Sequence, residues 1–253
     1  DMRKLLLGDE AIAQAAIDSG LSGVYAYPGT PSTEITEFIQ LREEKRGDAQ
    51  NPIFCRWATN EKTAMEGALG MSYMGKRALV CMKHVGMNVA ADPFVNSAMT
   101  GVNGGLVVVA ADDPSMHSSQ NEQDSRFYGK FAMMPIFEPS SQQEAYEMTR
   151  AAFELSEAVK LPVLMRVTTR MAHSRAVVEI TENPRKQNEI NRPEDVRTWI
   201  LLPAFAKKRY VKLLEQQDDL MKAAVESKYN WYVKGTNPER GVICTGIAYN
   251  YYM

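Results

Sequence analysis

The sequence predicts a doubly wound α/β domain, a six-stranded parallel sheet with helices on both faces. Three observations predict it. From Gly8 to Arg170, helix-patterned and strand-patterned segments alternate with regular punctuation. The strand-like runs are apolar on both faces, most plainly Gly105-Leu106-Val107-Val108-Val109-Ala110, as in a sheet covered on both sides. Each run is followed by a helix, the arrangement that feeds parallel strands.

The elements follow in order. Residues 9–19 read as a helix and 23–27 as a short strand. Thr30 is placed to cap, and Pro31 to open, a helix over 31–46 with Ile35, Phe38 and Ile39 inward. Residues 53–57 are a strand, and Asn60 caps a helix to about Tyr73 with Ala64, Ala68 and Met71 on one face. Strands follow at 77–82, 105–110 and 134–137. Ser141 and Glu144 form a capping box for a helix to Lys160, and 162–167 closes the series. Beyond Arg170 the character changes. Residues 181–195 are polar and read as linker, 207–227 as one long helix, and 241–246 as a strand ending in a glycine turn. A lone strand cannot bury itself, so it reads as the first strand of a truncated second α/β domain. The division expected is 1–175, 176–240 and 241–253. Asp1 ahead of Met2 reads as an added residue before the natural start.

Bulk composition excludes several classes. With 29 Lys and Arg against 31 Asp and Glu, the net charge of −2 offers no grip on nucleic acid or anionic lipid. No run approaches the ~20 apolar residues of a membrane span. Three scattered cysteines, Cys55, Cys81 and Cys244, make neither a disulfide framework nor a zinc or iron–sulfur ligand set. Cys55 and Cys81 lie in apolar runs and are expected as buried, reduced thiols, which fits the cytoplasm.

Ligands of open parallel sheets bind beyond the carboxyl ends of the strands. Four polar loops leave those ends: 27–34, 58–61, 83–88 and 112–122. Each has a plain reading alone. Thr30-Pro31 can be a helix start, Glu61 can answer a helix dipole, His84 can be a capping or core residue, and 113–122 can be a solvated loop. Glu66, about 140° around the helix from Glu61, points elsewhere. No metal ligand set is assigned.

In order, the motifs Gly8-Asp9-Glu10-Ala11-Ile12-Ala13, Tyr27-Pro28-Gly29-Thr30-Pro31-Ser32-Thr33-Glu34, Asn60-Glu61-Lys62, Lys83-His84-Val85-Gly86 and Asp112-Asp113-Pro114-Ser115-Met116-His117-Ser118-Ser119-Gln120-Asn121-Glu122 shift the balance. Together they resemble the α subunits of the 2-oxoacid:ferredoxin oxidoreductases, in particular the arylpyruvate (indolepyruvate) branch. The likeness runs from about residue 4 to 175 and more loosely to Gly246.

The resemblance implies a thiamine-diphosphate pyrimidine-binding domain. Glu61 would be the catalytic glutamate that hydrogen-bonds the aminopyrimidine and favours its imino tautomer, which then removes the C2 proton. Gly29, Thr30, Asn60 and Glu61 would bind the cofactor, while His84, Gln120, Asn121 and Glu122 would lie toward the 2-oxoacid. The Mg²⁺–diphosphate anchor belongs to another domain of the family. Gly8-Asp9-Glu10 lacks the second glycine of that anchor and precedes the first strand. The [4Fe-4S] clusters of the complete enzyme find no ligands here. Implied partners are the rest of the α subunit, a β subunit, ferredoxin and coenzyme A in an oligomer, with the fragment inactive alone. The implied reaction is oxidative decarboxylation of arylpyruvates to aryl-acetyl-CoA. The alternatives are a relative acting on pyruvate, 2-oxoglutarate or branched 2-oxoacids, and a non-catalytic partner-binding domain. A nicotinamide-binding domain is disfavoured, because Gly101 to Gly105 precedes its strand and no Gly-x-Gly-x-x-Gly is present.

Overall fold

A computed structural model describes residues 2–48, 50–237 and 239–253. Its strands are β1 (Met2–Leu7), β2 (Gly23–Ala26), β3 (Phe54–Trp57), β4 (Ala78–Lys83), β5 (Leu106–Asp112), β6 (Ile136–Phe137), β7 (Val163–Thr168) and β8 (Arg175–Ile180). Its helices are α1 (Gly8–Asp18), α2 (Thr33–Arg46), α3 (Glu61–Tyr73), α4 (His84–Val89), α5 (Ala91–Thr100), α6 (Arg126–Ala132), α7 (Gln142–Val159), α8 (Thr169–His173), α9 (Pro203–Glu226) and α10 (Ala248–Tyr252).

Six strands pair in parallel in the order β3-β2-β4-β5-β7-β6, as the alternating pattern predicts. Successive side chains point to opposite faces and build two cores. Leu79, Cys81, Val107, Val109, Val163 and Met165 pack with α1, α2 and α7. Ala78, Val80, Met82, Leu106, Val108 and Leu164 pack with α3 and α5, and Leu213 of α9 joins them. The chain leaves β2 through α2 to reach β3, then returns through α3 to β4 on the other side of β2. Helices α2 and α3 therefore lie on opposite faces. The loops after the adjacent strands β2 and β4 diverge, opening the crevice of a topological switch point.

Several expectations change. Residues 2–7 and 175–180 form a two-stranded antiparallel ladder, β1 with β8, so the first part of the expected linker is strand. Its polar remainder is not free chain. Arg185 N–H donates to Asp18 O (2.8 Å), Asn191 N–H to Met74 O (2.9 Å) and the Asn188 amide to Gly75 O (2.9 Å). Trp199, in the 3₁₀ turn Val196–Trp199, stacks on Tyr73 at 4.4 Å. These contacts line the segment along the foot of the sheet. The long helix begins at Pro203. Residues 241–245 form no strand, because no neighbouring strand pairs with them, and α10 follows.

Helix α2 begins at Thr33, not Pro31. The Ser32 N–H and hydroxyl both donate to Gly29 O (2.9 and 2.8 Å), closing a turn over 29–32 before the helix can start, so Thr30 is not its cap. Half of the capping box forms as expected. Ser141 Oγ accepts from Glu144 N–H (3.2 Å), but the Glu144 carboxylate accepts from Ser140 N–H and its hydroxyl, both at 2.7 Å. Cys81 is buried and Cys55 only half so.

Candidate functional site

An open cleft of about 600 Å³ lies at the switch point, lined from all four strand-end loops. Tyr27, Pro28 and Gly29 come from the β2 loop, Glu61 from the start of α3, Lys83 from the end of β4 and Val85 from the first turn of α4. The β5 loop supplies Met116, His117, Ser118, Ser119 and Gln120.

Glu61 is placed by its cap. Asn60 Oδ1 accepts from Thr63 N–H (2.9 Å), which starts α3 at Glu61 and sets its carboxyl at the cleft wall. The residue is 8% exposed, and among the described residues its carboxyl bonds no other side chain. Burial pushes its pKa up, against a smaller lowering by its own backbone N–H. Room for the carboxyl depends on Gly86, where a Cβ would lie 2.5 Å from Glu61 Oε1. Glu66 is exposed on another side of α3, as its spacing predicts.

The opposite wall is held by two aspartates at the end of β5. Asp113 accepts from Ser118 N–H (2.8 Å), Ser119 Oγ (2.7 Å) and Thr169 Oγ1 (2.8 Å). Burial raises the Asp113 pKa, but the bonds from Ser118, Ser119, Thr169 and the His117 N–H outweigh it and hold the carboxyl at about 2. Asp112 accepts from Ser125 and from Arg166 Nε (2.8 Å). Lys83 Nζ spans to Ser118 O at 3.1 Å. His84 is wholly buried; its Nε2 lies 2.9 Å from Asn121 O, while Nδ1 is buried without a partner. Because Asn121 O can only accept, Nε2 carries the proton of that bond.

Of the residues assigned from sequence, Gly29, Glu61 and Gln120 line the cleft. His84 stands behind its wall, bonded to the backbone of Asn121. Asn60 spends its side chain on the helix cap, and Thr30, Asn121 and Glu122 are exposed outside the lining. Lys83, His117 and Ser118 were legible only as members of their loops. Nothing in the sequence says which loop residues face inward.

Residues 14–229 match the family described as "Pyruvate flavodoxin/ferredoxin oxidoreductase, thiamine diP-bdg". The chain belongs to this family. Among curated proteins, indolepyruvate oxidoreductase subunit IorA of Archaeoglobus fulgidus is 44% identical over 97% of the chain, which spans 39% of that relative's length. The Thermococcus kodakarensis subunit of the same name is 42% identical over 98% of the chain and 38% of its own length. The 2-oxoglutarate synthase subunit KorA of Methanothermobacter thermautotrophicus is more distant, 28% identical over 69% of the chain and 47% of its own length. The family's fold is seen in a 2-oxoglutarate:ferredoxin oxidoreductase from Magnetococcus marinus, with a TM-score of 0.69 at 19% identity over 93% of this chain and 47% of that one. No helix among the described residues is long and apolar enough to cross a membrane.

Proposed function

We propose that the chain is the pyrimidine-binding part of a thiamine-diphosphate-dependent 2-oxoacid:ferredoxin oxidoreductase whose substrates are arylpyruvates such as indolepyruvate. One observation carries the reading. A carboxyl group, buried at the wall of the switch-point cleft and bonded to no other side chain among the described residues, stands where a heterocyclic nitrogen can take it as partner.

The residues fit the cofactor, since the missing Cβ of Gly86 leaves Glu61 room in a cleft large enough for a small heterocycle. When bound, thiamine diphosphate supplies the electron sink for the carbanion left by decarboxylation. Glu61 would hold a hydrogen bond to a ring nitrogen of the aminopyrimidine, and burial, which raises its pKa, favours the protonated carboxyl in that role. Gly29 bounds the cofactor's side of the cleft. Lys83 brings a cationic head suited to a substrate carboxylate, and His84 positions the β5 loop through Asn121. Tyr27, Val85 and Met116 give apolar surface for an aromatic ring.

The remaining assignments belong to the same proposal. The pyrimidine-binding unit, 1–175 by sequence, is extended to Ile180 by the β1–β8 ladder; the remainder to 240 connects it, and 241–253 open a further domain. The Mg²⁺–diphosphate anchor and the [4Fe-4S] clusters lie on the rest of the α subunit and on a β subunit. Ferredoxin and coenzyme A are further partners in a cytoplasmic oligomer, and the chain alone does not turn over. Catalytic efficiencies of the complete enzyme with indolepyruvate, phenylpyruvate, pyruvate and 2-oxoglutarate test the substrate class. Aryl acids should lead. A lead for pyruvate or 2-oxoglutarate removes the arylpyruvate assignment and leaves the family intact.

A further inference from the structure

Behind the 29–32 turn, away from the cleft lining, three side chains converge from three helix ends. Asp9 stands in the first turn of α1, Glu34 in the first turn of α2, and His173 at the end of α8. One ligand atom from each lies within 4.8 Å of the others. Asp9 is wholly buried, and neither of its carboxylate oxygens has a hydrogen-bond partner among the described residues. Glu34 Oε2 is likewise buried and unpartnered, while its Oε1 lies 3.3 Å from His173 Nε2. We propose that Asp9, Glu34 and His173 bind one divalent transition-metal ion, Zn²⁺ or Mn²⁺.

The wholly buried Asp9 carboxylate has lost its hydration and is repelled by the half-buried Glu34 beside it, so the pair needs either a proton or a cation. A single shared proton would link one oxygen of Asp9 to one of Glu34, leaving a third buried oxygen without a partner. A cation can take both Asp9 oxygens and Glu34 Oε2 together. The third donor decides between them. An imidazole nitrogen joining two carboxylates makes the mixed oxygen–nitrogen set that Zn²⁺ and Mn²⁺ accept.

Donors around a tetrahedral ion stand about 3.4 Å apart. The donors here lie within 4.8 Å of one another, so they would draw in around the ion. His173 is 33% exposed and gives the ion its way in. The bound ion would tie α1, α2 and α8 together directly behind the turn that carries Gly29 to the cleft.

The test is calorimetric titration of the chelator-treated protein with ZnCl₂ and with MnCl₂, paired with thermal melts. One equivalent should bind with a rise in Tm for at least one of the two ions. His173→Ala, which alters a partly exposed side chain and leaves the core intact, should weaken that binding at least about tenfold, as should Asp9→Asn. Binding of neither ion, or equal affinity in His173→Ala and wild type, overturns the site. So does a Glu34→Gln protein that melts higher than wild type with no metal response in either, which would assign a shared proton instead.

Discussion

Gly86 and Glu61 are in direct apposition: the hydrogen that Gly86 carries in place of a Cβ faces the Glu61 carboxyl, and a methyl there would meet Oε1 at 2.5 Å and Cδ at 2.8 Å. The first turn of α4 and the first turn of α3 thus share one small volume, and the smallest residue holds it open for the carboxyl.

Gly86→Ala should therefore displace Glu61 without unfolding the protein. Alanine is the better helix former by about 1 kcal/mol, which offsets part of the crowding. Expected is a loss of at least about tenfold in turnover of the complete enzyme, with Tm shifted by only a few degrees. Steady-state kinetics beside a thermal melt checks this. Turnover at the wild-type level would show that the carboxyl has freedom the structure does not give it.

Asp113 gives a pH signature. Its folded pKa of about 2 lies below the ordinary carboxylate value of about 3.9. The stabilisation is therefore full above pH ~4 and fades as pH falls through the folded value, about 2 kcal/mol in all. Asp113→Ala should show that deficit at pH 6 in urea melts and little difference from wild type near pH 2. A constant difference across the range would place the effect in packing instead.

The legible part of this chain is the part that physics repeats. Six strands could be read because β4, β5 and β7 are apolar on both faces, a pattern only a covered parallel sheet asks for. Strand β1 escaped because Arg3 and Lys4 break its apolar run and its partner, β8, is far off in sequence. Helices α4 and α5 escaped because Gly86, Asn88 and Pro93 look like breakers, although Pro93 sits in the first turn, where no intrahelical N–H is lost. At the site, strand-end loops were legible from polarity, and Glu61 from its place after a cap. The inward turn of Lys83, and the outward turn of Thr30, depend on the 29–32 turn and on Ser118, which no local pattern announces.

At the foot of the sheet the buried Arg77 pairs with the half-buried Glu157. The guanidinium is 2% exposed and donates twice to the carboxylate, at 2.9 and 2.7 Å. Burial raises the Glu157 pKa, but Arg77 and the Asn188 amide more than reverse it, to about 2. Glu157→Ala should cost about 3 kcal/mol, because it strands a buried guanidinium. It also removes one of the two acceptors of the Asn188 amide, so the backbone amide of Asn191 should exchange hydrogen faster. Denaturant melts and hydrogen exchange read the two effects, and unchanged stability would mean that the arginine finds another partner.

Glu61 is proposed to act as a proton-holding partner of the cofactor's pyrimidine. Hydrogen–deuterium exchange at the thiazolium C2, followed in the complete enzyme with Glu61→Gln against wild type, measures that role with no substrate present. Glutamine keeps the shape of the side chain and removes the ionisable carboxyl. The predicted result is exchange slowed by at least about a hundredfold with the fold unchanged. Exchange at the wild-type rate would contradict the assignment of Glu61.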